Sequence, residues 1–195
     1  MKNMKKWIVA LLAVVMVCHG GVAAMAADKA AAAPDAVAAP YTVDVTRAKM
    51  NILQDGKAVK TYEMSSSDFT VAKGKEKGTV AVRFWDDNGK QCKINLGEMD
   101  EIFIDGKIMK LTISSTLSKD VKVVIGKDCS VSDMRVNNAS KVSVYGIVKE
   151  LDISNKDARV TEERQGEIRE VSTVSTNAIK GVFSEHITKY DPDEE

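Results

Sequence analysis

Histidine is scarce in this chain, with two copies in 195 residues, and cysteine is hardly more abundant, with three. His19 and Cys18 fall within the first 26 residues, which leaves His186, Cys92 and Cys129 for the rest. A Ser-His-Asp or Cys-His site therefore has little material. A zinc site from Cys92, Cys129 and His186 lacks the short ligand spacing such sites use. Neither sign of charge prevails, since 28 Lys and Arg meet 28 Asp and Glu. That balance excludes the clustered basic surface of a nucleic-acid binder. The glycines do not gather into a phosphate-cradling loop, and none opens a helix. The acidic neighbours Asp100 and Glu101, or Glu162 and Glu163, place their carboxylates on opposite faces of a strand. They read as solvated charge rather than as a glycosidase pair. The reading is of a chain that is not an enzyme, with no catalytic residue, cofactor or metal to assign.

Long apolar runs are also missing. The longest, "WIVALLAVVMVC" from Trp7 to Cys18, is too short for a membrane span but suits the core of a signal peptide. Lys2, Lys5 and Lys6 precede it, and "AMA" (Ala24 to Ala26) offers the small residues of a cleavage site, so residues 1–26 read as an export signal. Val17 before Cys18 departs from the small residue that a lipidation cysteine follows. Residues 27–40, rich in alanine but interrupted by Pro34 and Pro40, read as a flexible spacer. Removing the signal takes three lysines and no acids, leaving 25 basic and 28 acidic side chains. No membrane span then remains. Cys92 and Cys129 could form a disulfide in an oxidising compartment, or stay as buried thiols.

What is present is period-two alternation, from Tyr41 to Leu96. "TVDVT" puts Val43 and Val45 on one face. Asp55-Gly56 between apolar runs predicts a two-residue type I′ turn, with Ile52 opposite Val59. In "TVAVRFWDDNGKQCKINL" a two-residue loop would set Phe84 against Lys93. A three-residue loop, Asp87-Asn88-Gly89, instead sets Phe84 against Cys92, Val82 against Ile94 and Val80 against Leu96. Asp86 and Asp87 lack the further ligands of a calcium loop. Arg83 and Trp85 fall on the other face, where a Trp beside an Arg is a candidate platform for a sugar or other ligand. The alternative is packing against a neighbouring loop.

From Glu101 a second regularity takes over. Gly106, Gly126, Gly146 and Gly166 recur every twenty residues. Leu111, Val131, Leu151 and Val171 follow five residues after each, and Ile104, Val124 and Val144 come two before. Two positions break the columns, Asp128 and Arg164. A fixed period of this length is the mark of stacked coils. Each coil would hold two or three short strands, with apolar columns inward and glycine at a crowded corner. The fold class expected is all-β: a β-solenoid of about four coils over residues 99–183, preceded by an antiparallel hairpin module over 41–98 that caps it. An antiparallel meander or sandwich is the alternative. Residues 184–195, with five acids near the end, read as a polar tail. "NAS" at Asn138 fits a glycosylation sequon.

Over Glu101 to Phe183 this architecture resembles small exported β-helix modules such as the heads of bacterial adhesins, and more loosely the self-assembling bactofilin solenoids. The resemblance is one of shape and carries no residue assignments. It implies attachment, recognition or self-assembly at the periplasm or cell surface, with a protein, a cell-surface glycan or further copies of the chain as partner. A small glycan- or ligand-binding module using Trp85 and Arg83 is the second functional expectation.

Overall fold

The computed structural model describes residues 41–181 and the backbone of Ile187–Tyr190. The expected signal, Cys18, the spacer, His186 and the rest of the acidic tail lie outside the described residues.

The N-terminal strands are β1 (Thr42–Thr46), β2 (Lys49–Gln54), β3 (Lys57–Lys73), β4 (Thr79–Asp86) and β5 (Gln91–Glu98). The long β6 (Glu101–Ile113) follows. Thereafter short and longer strands alternate: β7 (Lys122–Ile125), β8 (Ser130–Val136), β9 (Lys141–Val144), β10 (Ile147–Ile153), β11 (Arg159–Glu162) and β12 (Glu167–Thr173). A 3-10 turn at Thr176–Ala178, β13 (Ile179–Lys180) and β14 (Ile187–Tyr190) complete the described chain.

From β6 onward the pairing is parallel. The short strands and the first half of β6 stack as one sheet, β6-β7-β9-β11-β13. The longer strands and the second half of β6 stack as another, β6-β8-β10-β12-β14. This is a β-solenoid of about four coils. The meander is ruled out, because its neighbours would run antiparallel.

The coils stack, but not in a fixed twenty-residue frame. In the second sheet Ile108 pairs with Val131, Val131 with Val148 and Val148 with Ile168, at intervals of 23, 17 and 20 residues. Leu111 therefore lies beside Met134, then Leu151 and Val171, and Val131 belongs to the neighbouring column. In the first sheet Ile104 is followed by Ile125, Val144 and Glu162. The breaks at Asp128 and Arg164 mark where the frame slips. Gly126 to Cys129 form a corner between β7 and β8, whereas Tyr145 and Gly146 alone turn β9 into β10.

Each longer strand carries the same six-residue pattern: "IMKLTI", "VSDMRV", "VKELDI" and "IREVST". Positions one, four and six are buried in every copy, and positions two and three are not. Two successive residues turned away from the core bend the strand, which lets a single strand wrap the interior. The inward residues form continuous ladders that exclude water almost completely, Leu111, Met134, Leu151 and Val171 being 0–2% exposed. Burial of each such side chain is worth about 1.5–3 kcal/mol, so the interior is held by many repeats of one modest contribution.

The glycine corners are crowded as expected. A Cβ on Gly146 would strike the carbonyl oxygens of Cys129 and Gly126, and one on Gly166 would strike that of Val144. Gly126 faces the Asp105 carboxylate at 2.9 Å from an added Cβ. Gly106 has a second constraint, a φ of +94° where an L side chain is strained.

The strands before β6 join the same stack. β1 pairs in parallel with the first half of β6, and Asp68–Val71 of β3 with the second half. They act as one more coil, interrupted by a hairpin excursion. β2, β4 and β5 add antiparallel strands outside it and so cover the N-terminal edges of the two sheets. Such cover matters because open strand edges invite pairing with other chains. At the other end β14 pairs with β12, so residues 187–190 of the segment read as tail form a strand.

The β4–β5 hairpin has the three-residue loop. Phe84 lies opposite Cys92 and Val82 opposite Ile94, and Gly89 takes a φ of +73°. The ladder then slips, so Val80 meets Gly97 rather than Leu96. The Asp55-Gly56 turn forms with positive φ at both residues, but a bulge at Val59 places Ile52 opposite Lys60. Val59 is left half exposed.

The cysteines are not bonded. Cys92 and Cys129 are free thiols, because β5 and β8 lie four strand spacings apart in the order β5-β4-β3-β6-β8. A disulfide needs Cα atoms within about 7 Å. Burial pushes the Cys129 thiol up to about 12, helped by the negative charges of Asp105 and Asp44.

Candidate functional site

Trp85 and Arg83 sit on β4, two residues apart and both away from the core, while Val82 and Phe84 between and beside them are buried. Trp85 is 52% exposed.

The strand opposite explains why. β3 pairs regularly with β4 from Phe69 onward, but Met64 lies opposite Asp86 and Phe69 opposite Phe84. Ser65 to Asp68 therefore bulge out against Trp85 alone. Bulges of this kind re-aim side chains and often sit beside functional surfaces. Ser65 Oγ donates to the Trp85 carbonyl at 3.3 Å, and Ser67 Oγ accepts from the Met109 amide at 3.2 Å, which pins the bulge between β4 and β6.

The result is a groove of about 330 Å³ on the outer face of the second sheet. Its wall includes Trp85, Arg83 and Gln91 from the hairpin, Asp68 from the bulge, and Lys110 and Thr112 from β6. Asp68 Oδ1 is shielded from solvent and has no hydrogen-bond partner. Lys110 reaches the other way, to Asp133 at 3.5 Å, and Arg135 approaches the same carboxylate at 3.6 Å. Arg83 has no ion pair or hydrogen bond among the described residues, and directly across the ladder from it stands Lys93.

The remaining candidates do not assemble. Asp86 is spent on its own turn, its Oδ1 accepting from the amides of Asn88 at 3.0 Å and Lys90 at 2.8 Å. Glu101 is paired with Lys122 at 2.9 Å. Among the described residues no group of three or more His, Cys, Asp or Glu side chains is placed to hold a metal ion. No helix among them is long and apolar enough to cross a membrane. Asn138 of the sequon is buried. Its Nδ2 donates to the Leu117 carbonyl at 3.2 Å and to Ser140 Oγ at 2.6 Å, and its Oδ1 accepts from the Ser140 amide at 3.1 Å. That amide ties two coils together and is not open to modification.

Asp68, Lys110 and Thr112 were not legible beside Trp85, since parallel stacking brings them there from other strands. A local signal did exist: "SSSD", Ser65 to Asp68, is a polar run in the middle of a strand-like segment.

What the fold and groove define is a class: a short β-solenoid capped at its N-terminal end, with an aromatic groove where cap meets coils. No protein-family model, curated protein or solved structure matches the chain.

Proposed function

We propose that this chain is an exported, non-enzymatic recognition protein of the cell envelope that attaches to its partner through the Trp85 groove. The observation that carries this reading is the groove itself: a half-exposed indole beside Arg83, framed by a pinned bulge on a rigid sheet. A large aromatic left in water costs hydrophobic free energy, and Tyr and Trp are the residues most enriched where proteins make contact. The stacked strands hold the surrounding polar groups still, so little ordering entropy is lost on binding. A glycan fits this chemistry best, because the flat indole matches the apolar face of a sugar ring while the rim supplies donors and acceptors. The test is a glycan panel probed with the chain and with Trp85→Ala. Binding that disappears with the indole supports the reading, and a panel without any Trp85-dependent ligand refutes it.

Self-association is the second reading, favoured by a separate feature. β13 and β14 each pair on one side only among the described residues. Light scattering across a concentration series tests it, and a strict monomer at high concentration removes it. Export to the periplasm or surface rests on the N-terminal segment, and N-terminal sequencing of the mature protein tests that.

A further inference from the structure

We infer that the Trp85 groove is built for an acidic sugar: a pyranose unit bearing a carboxylate, as in a uronic-acid saccharide. This rests on the recognition reading above and adds the ligand's charge to it. Two observations carry the addition. Arg83 has no partner among the described residues, yet its planar guanidinium is always charged and presents paired donors that match a carboxylate two-to-two. Its cross-strand neighbour is Lys93, another cation on the same outward face. Like charges directly opposite one another weaken a sheet, and this pair carries that cost with no acid between them. An anion seated over Arg83 relieves it.

The other wall of the groove supplies what a neutral part of the sugar needs. Trp85 offers a face for the ring, and Gln91 lies directly across from it. Thr112 and the rest of the Asp68 carboxylate add polar groups at the rim for the sugar hydroxyls, while Asp68 Oδ1 itself is shielded. Cation and aromatic plate thus lie two residues apart on one strand with polar groups around them, a set that a hexuronate can satisfy with its carboxylate, ring and hydroxyls. The volume, about 330 Å³, suits one or two sugar units rather than a folded partner.

The experiment is calorimetric titration of the full chain with an oligogalacturonate and with the same oligosaccharide after its carboxyl groups are reduced to alcohols. The acid is expected to bind, and the reduced form to bind at least about tenfold more weakly, the worth of a charge-assisted hydrogen bond pair. Arg83→Gln should erase that preference, Arg83→Lys should keep part of it, and Trp85→Ala should abolish binding of both. Equal affinity for acid and reduced forms, still dependent on Trp85, would overturn the carboxylate assignment and leave the recognition reading standing. Acid binding that survives Trp85→Ala would also overturn it, as a general attraction of polyanions. Failure of both oligosaccharides to bind overturns the assignment as well, and the wider glycan panel then decides the recognition reading separately. Trp85 and Arg83 lie outside the core, so circular dichroism of each variant serves as the control for folding.

Discussion

Substituting Gly146 with alanine is the perturbation whose sign depends most directly on stacking. Gly146 is a buried corner residue whose φ is not in the left-handed region, so a methyl group brings no backbone strain of its own. In an ordinary turn, Gly→Ala at such a position stabilises by about 0.4–1 kcal/mol, because the unfolded chain loses freedom. In the stacked coil the added Cβ meets the carbonyl oxygens of Cys129 and Gly126. Both are backbone of the coil before, and both are engaged. The Cys129 carbonyl accepts from the Ile147 amide at 2.9 Å, and the Gly126 carbonyl accepts from the Cys129 amide at 3.0 Å. Relief requires a shift of one coil against the next. Overpacking of this kind costs about 1–3 kcal/mol, and loss of one net hydrogen bond adds about 1 kcal/mol. The expected destabilisation is about 2–4 kcal/mol, or a fall in Tm of roughly 4 to 16 °C for a domain of this size. Urea unfolding followed by circular dichroism, with thermal melts alongside, measures it. A variant as stable as the parent, or more so, would refute the stacking argument at this corner.

Three further outcomes follow from the same structure. Leu151→Ala, in the middle of the Leu111–Met134–Leu151–Val171 column, should cost about 2–5 kcal/mol in urea unfolding, whereas Trp85→Ala should stay within about 0.5 kcal/mol of the parent. Asp105 is held above the usual carboxylate range, first by burial and then by Asp128 and Asp44, with the Gly106 amide and Lys127 pulling the other way. The native state therefore binds this proton more tightly than the unfolded chain, and the group's contribution falls as pH rises through the folded value. Asp105→Asn should accordingly raise Tm at pH 7, with a gain that shrinks as pH drops below the ordinary carboxylate range. Cys129, buried and with its thiol pushed up to about 12, should resist iodoacetamide at pH 8 in the native protein and react only after unfolding. A Cys92–Cys129 bridge seen in non-reducing mass spectrometry would contradict the strand order.

The parts of this fold that were legible are those that a short window decides. The Asp87-Asn88-Gly89 loop could be placed because only one register keeps Phe84, Val82, Ile94 and Cys92 on a shared face. The Asp55-Gly56 turn could be placed because positive φ is cheap there. The bulges at Val59 and at Ser65 to Asp68 were hidden, because they depend on which strand lies alongside. The twenty-residue period was legible as an average: Ile108 and Ile168 are three coils and three periods apart. The coil-by-coil register was not. Corners absorb extra residues without disturbing the core, so Val131 slipped out of the Leu111 column while the mean spacing was kept. Aligning the six-residue patterns instead of the glycines recovers the true stack, since the inward positions cannot drift without exposing apolar surface. The site divided in the same way. Trp85 and Arg83 announced themselves within one strand, while Asp68 and Lys110 joined them through parallel pairing across 42 residues.

The most direct measurement of the central claim is a methyl-resolved nuclear Overhauser spectrum of the chain with labelled Leu, Met and Val. Stacking in the register described here predicts cross-peaks from Met134 to both Leu111 and Leu151, and from Val131 to Ile108 and Val148 where isoleucine is also labelled. Cross-peaks from Val131 to Leu111 and Leu151 in their place would restore the rigid twenty-residue frame, and the absence of contact between these columns would contradict a solenoid altogether.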